Sequence, residues 1–213
     1  MQNRGIFVEK REGKDPWTDK GVPGDWITEL KIGDLGATRS LEEDEVLIKV
    51  KVRPLRMIVF FLTLLQAVGI CGSDVHYWTQ GRGARFAVEN KMVLGHEGAG
   101  EIIEVGSKVS NVVKGDRVAF EPGYATGDDE LTKNGRYNLS KVFFCATPPD
   151  DGCLCQYFVH KASCCYKMPE EMSYELGAMI EPLSVGIHAA KRARVEPGQD
   201  VLITGAGPIG LVR

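Results

Sequence analysis

The chain has no Cys-x-x-Cys pair, and that absence narrows the metal chemistry open to it. Structural zinc sites usually bring their ligands as such close pairs. The six cysteines (Cys71, Cys145, Cys153, Cys155, Cys164 and Cys165) also lack the spacing of a disulfide framework. The opening, Met1-Gln2-Asn3-Arg4-Gly5-Ile6-Phe7-Val8-Glu9-Lys10-Arg11, is charged and without the apolar centre of a signal peptide. These absences together predict a reduced, cytoplasmic compartment. A formal charge of −3, with acids and bases interspersed, leaves no basic patch to neutralise phosphates, which argues against nucleic acid as a partner. The apolar run over 57–65 contains Thr63 and falls short of the roughly 18 residues that a membrane span needs.

Metal-capable residues are present in another arrangement. Gly95-His96-Glu97 sets two such side chains next to each other, between a Cys71-Gly72-Ser73-Asp74 turn upstream and Ile180-Glu181-Pro182 downstream. Zinc accepts thiolate, imidazole and carboxylate in one tetrahedral shell, and a catalytic zinc keeps three protein ligands and an open position. Cys71, His96, Glu97 and Glu181 can share one such ion. The competing reading is that these residues merely sit on loops and helix ends.

At 213 residues the chain suits one ordinary domain and part of another. Residues 45–52 alternate, with Val46, Ile48, Val50 and Val52 on one face, and predict a half-buried strand. Short β-rich runs over 101–105, 116–120 and 156–160, bounded by Gly or Pro, predict further strands and suit a partly open β-barrel. From Ser173, a candidate N-cap, the pattern turns helical, and Pro182 fits the first turn of a second helix running to about Arg192. Glu181 then lies at a helix N-terminus, where a carboxylate is also favoured with no metal present. Residues 200–204 read as a buried strand leading into Gly205-Ala206-Gly207-Pro208-Ile209-Gly210, a G-x-G-x-x-G in the context of a dinucleotide-binding turn. The sequence stops at Arg213, before the acidic residue expected about 20 positions on for the ribose.

Several of these segments carry a family resemblance. Val68-Gly69-Ile70-Cys71-Gly72-Ser73-Asp74-Val75-His76-Tyr77-Trp78, then Val93-Leu94-Gly95-His96-Glu97 and Lys114-Gly115-Asp116-Arg117-Val118, resemble the zinc-containing medium-chain dehydrogenases. Gly135-Arg136-Tyr137-Asn138-Leu139, the run from Phe143 to Gly152, and that from Ile180 to His188 resemble the sorbitol (polyol) dehydrogenase branch. The resemblance spans about residues 45–212.

It implies a β-rich GroES-like catalytic domain with a partly open barrel over 1–172, followed over 173–213 by the start of an α/β Rossmann-type cofactor domain that is truncated. It implies one catalytic zinc on Cys71, His96 and Glu97, with Glu181 binding directly or through water. Gly205, Gly207, Pro208, Ile209 and Gly210 match the NAD-binding turn. Ser73 resembles the family's relay hydroxyl, with turn formation as its alternative, and His76 is a next proton carrier or a surface residue. Tyr77 matches a substrate-pocket aromatic, with ordinary packing as its alternative. NAD rather than NADP, a small-molecule polyol substrate and a homo-tetramer follow from the resemblance alone. The loop over 121–136 has none of the four cysteines that hold a structural zinc in many relatives, so no structural zinc is expected. The remaining cysteines, His160 and His188 read as structural.

Residues 52–66 interrupt the resemblance. A membrane span, a buried helix and a translated intron compete for them, and the intron is favoured because Val52-Arg53 and Gln66 fit the coding of splice-site ends. Pro54 would break the preceding strand, and an exposed Phe60-Phe61-Leu62 would favour aggregation. The expectation is a zinc- and NAD-dependent polyol dehydrogenase represented by its front part and incompetent alone. The rival is a non-catalytic truncated zinc-binding domain. A zinc-free quinone reductase is disfavoured because such relatives lack the Cys71, His96 and Glu97 set.

Overall fold

The computed structural model describes residues 2–22, 25–50 and 67–212. The segment 52–66, read above as an insert, lies outside them. In chain order the strands are β1 (Gln2–Lys10), β2 (Thr28–Ala37), β3 (Glu45–Val50), β4 (Val68–Gly69), β5 (Arg82–Gly83), β6 (Phe86–Ala87), β7 (Lys91–Val93), β8 (Glu97–Val105), β9 (Arg117–Phe120), β10 (Gly123–Ala125), β11 (Val142–Phe144), β12 (Tyr157–Lys161) and β13 (Cys165–Lys167). The helices are α1 (Gly72–Gln80), α2 (Glu130–Lys133), α3 (Tyr174–Ala178), α4 (Ile180–Ala193) and α5 (Pro208–Leu211).

All of these strand pairings are antiparallel. The larger sheet runs β12-β3-β8-β9-β13, with β4 pairing the start of β8, and a smaller sheet runs β2-β1-β7. β1 is tied to the segment that leads into β12 where Leu154 accepts from the Ile6 amide and Arg4 accepts from the Gln156 amide, each at 2.9 Å. Val46, Ile48, Ile102, Val118 and Phe120 fill the core beneath the larger sheet. Each fully buried aliphatic contributes about 1.5–3 kcal/mol, so this interior is what holds β8 in place.

Three expectations need revising. β3 is not half-buried: Glu45 and Leu47 are covered as well, because the strand is central between β12 and β8 and Arg39 closes over Glu45. Cys71 to Asp74 is not a free turn but the entry to α1, with Cys71 as N-cap and the Asp74 carboxylate accepting from the Cys71 amide at 2.9 Å. Residues 200–206 form no strand, and Leu202 is 89 % exposed. A buried-type strand needs neighbours on its edges, and among the described residues none pairs with this one. The helical readings hold. Ser173 caps α3 by accepting from the Leu176 amide at 3.2 Å, Glu181 and Pro182 lie in the first turn of α4, and Pro208 opens α5 after Gly207.

Candidate metal centre

Three elements deliver the donors. Cys71 stands at the mouth of α1, His96 ends the link from β7, and Glu97 is the first residue of β8. One buried carboxylate locks the first two together: Asp74, 2 % exposed, accepts from the Cys71 amide through Oδ2 and from the Gly95 amide through Oδ1, both at 2.9 Å. A second chain segment fixes the same link, since the Cys153 amide donates to the Gly95 carbonyl and the Leu154 amide to that of Leu94, each at 2.8 Å. On β4, opposite Glu97, a Cβ added to Gly69 would lie 2.0 Å from the Glu97 carboxylate. That side chain therefore needs glycine at position 69.

The Cys71 sulfur, a His96 ring nitrogen and a Glu97 carboxylate oxygen all lie within 4.8 Å of one another. Their electrostatics are coupled. Hydrogen bonding from His96, against the opposing effect of burial, brings the Cys71 thiol below its ordinary range, with Ser73 adding to the effect. The buried thiols contrast with it: burial pushes Cys155 and Cys165 up to about 12 and Cys145 and Cys153 well above the usual value. Burial alone would lower His96, but Cys71, then Asp74 and Glu181, outweigh it and raise the imidazole. Its ring lies 5.8 Å from that of Phe144. Burial raises the carboxyls of Glu97 and Glu181, opposed in each case by the charge of His96.

A thiol, an imidazole and a carboxyl converge, with a second carboxyl in electrostatic reach, where burial penalises their charged forms. A divalent cation reverses that penalty, and the mixed sulfur, nitrogen and oxygen donor set is one that zinc accepts. The residues present fit a zinc ion.

Glu181 is within electrostatic reach of His96 and Glu97 but outside the trio itself. It borders a cavity of about 700 Å³ whose wall includes Phe120, Glu121, Tyr137, Ser184 and His188. Ser73 sits in the first turn of α1 against Cys71, and His76 is exposed one turn further on. Tyr77 is 4 % exposed and packs with Val8, Val88 and Met92, its ring end close to Gly83. Gly205, Gly207, Pro208, Ile209 and Gly210 lie beyond α4, in the turn into α5, and none of them lines the cavity beside Glu181. Sequence reasoning missed Asp74 and Gly69. A Cys-x-x-Asp helix entry is not a familiar capping pattern, and the need for glycine at 69 depends on a partner 28 positions away.

A β-rich domain that gathers cysteine, histidine and glutamate at one point has the build of a metal-binding domain. The chain belongs to the alcohol dehydrogenase GroES-like domain family, whose profile matches residues 62–170. Within that class it is similar to sorbitol dehydrogenases: 59 % identical over 152 residues to that of Gallus gallus and 57 % identical over 152 residues to that of Homo sapiens. Each match covers 71 % of this chain and 43 % of the relative, so the chain spans less than half the length of these proteins. Among solved structures, an oxidoreductase/dehydrogenase of unknown specificity from Escherichia coli superposes with a TM-score of 0.77 at 37 % identity, over 100 % of this chain and 53 % of the other. Galactitol-1-phosphate dehydrogenase from Escherichia coli gives 0.75 at 27 % identity, over 100 % and 51 %. No helix among the described residues is long and apolar enough to cross a membrane.

Proposed function

We propose that the chain supplies the zinc-binding catalytic part of a polyol dehydrogenase that passes hydride from a secondary alcohol of a sugar alcohol to NAD, leaving a ketose. The observation that carries the reading is the convergence of Cys71, His96 and Glu97 within 4.8 Å, with Glu181 in electrostatic reach of His96 and Glu97. These residues would hold zinc, which when bound supplies Lewis acidity to an alcohol oxygen. Asp74 keeps the two ligand loops in register. Ser73, next to Cys71 at the start of α1, takes the alcohol proton, and His76, three residues on along the same helix, carries it to solvent. Glu181 and the cavity beside it orient the remaining hydroxyls of the polyol. The glycine turn over 205–210 takes the pyrophosphate of NAD at the start of α5.

The test is NAD-dependent sorbitol oxidation by the chain extended with a complete cofactor domain and lacking 52–66, beside its C71S variant. Turnover that C71S abolishes is the expected result. Zinc retained without turnover on any polyol would favour a non-catalytic metal-binding domain instead.

A further inference from the structure

We propose that Arg117 is the positioning residue that sets Glu181 against the three donors; the inference rests on the metal reading above. Arg117 opens β9 opposite Glu101 of β8, the strand that begins with Glu97. Its main-chain carbonyl accepts from the Met168 amide at 2.8 Å. Its guanidinium reaches further along the same turn. Nη1 donates to the carbonyls of Glu170 at 2.6 Å and Pro169 at 3.3 Å, and Nη2 donates to that of Met172. The Arg117 Cζ also lies 4.5 Å from the centroid of the Tyr174 ring. One side chain thus grips the turn before α3 at three carbonyls and stacks on the first residue of that helix.

What the grip controls lies at the far end of α3. A Cβ on Gly177 would stand 2.7 Å from the Met168 sulfur and 2.9 Å from the Ala99 Cβ, so α3 is pressed onto β8 two residues beyond Glu97. Met179 joins α3 to α4 in helical conformation, and Glu181 is the second residue of α4. The position of Glu181 is therefore set by how α3 is seated, and Arg117 holds the turn at the other end of α3 from Gly177. A planar fork that satisfies several carbonyls at once is a task for arginine and not for lysine.

Cobalt(II) in place of zinc reports the shell directly, through a sulfur-to-metal charge-transfer band from Cys71 and visible bands that follow coordination geometry. The full chain, R117K, E181Q and C71S are titrated with cobalt(II). The expected result is that R117K keeps one metal per chain and the charge-transfer band, but its visible bands move in the same direction as those of E181Q. A merely structural role would lower stability and leave those bands alone. Visible bands of R117K matching wild type, or of E181Q matching wild type, would overturn the proposal. A charge-transfer band that survives in C71S would sink the metal reading itself, a separate failure. Should R117K not fold, Y174L, which removes the stacked ring and leaves the Arg117 guanidinium in place, decides by the same bands.

Discussion

At the scale of single residues, the site depends on residues that supply none of its donors. Gly69 is one: with a β-carbon 2.0 Å from the Glu97 carboxylate, that carboxylate must leave its place. G69A is expected to weaken zinc affinity on the order of 10–100-fold, the usual cost of disturbing the groups around metal ligands, while circular dichroism stays unchanged. Competition with a chelating dye measures it. That Cys71, His96 and Glu97 come together was legible in the sequence because zinc restricts its ligands to few residue types. Gly69 and Asp74 were not, since their roles come from tertiary contacts that no local pattern announces. For Tyr77 the resemblance left a substrate-pocket aromatic and ordinary packing open, and its ring lies in the interior.

At the scale of elements, Asp74 makes α1 and the start of β8 a single unit. Its two amide partners belong to separate loops, and both bonds are made to a carboxyl group in a buried place. D74A should lower the stability of the metal-free chain by about 3 kcal/mol, read as a shift in the urea midpoint, and should weaken zinc binding together with it. The short β-rich runs and the helix caps were legible because period-2 alternation and Ser173 are local signals. β1 and β2 were not. On β2 the apolar Leu30 and Ile32 point outward, 41 % and 54 % exposed, so that strand carries no apolar-in, polar-out alternation. The strand expected at 200–204 failed for a different reason: a fully buried strand is stable only with neighbours, and composition alone does not supply them.

At the scale of the whole molecule, acid stability should fall in two steps. His160 is 2 % exposed, packed against Phe120 and Phe158, with Nε2 2.7 Å from the Glu121 carbonyl and Nδ1 without a partner among the described residues. Burial holds its value down to about 4. The unfolded chain takes that proton from about pH 6.5, so stability present above pH 6.5 is lost as pH falls towards about 4, by about 3 kcal/mol. H160F should flatten this first limb in chemical denaturation followed across pH. Glu45, hydrogen-bonded by Arg39 at 2.7 Å and held at about 2, supports a second limb lost from about pH 4.5 downward. That limb is smaller than its shift implies, because Arg39 is 56 % exposed. The measurement that bears most directly on the central claim is zinc content of the purified chain beside C71S and H96A, by elemental analysis after dialysis. One zinc per chain, lost in both variants, is predicted; no zinc in the folded wild type, or equal zinc in all three, would contradict the assignment of Cys71, His96 and Glu97 as its ligands.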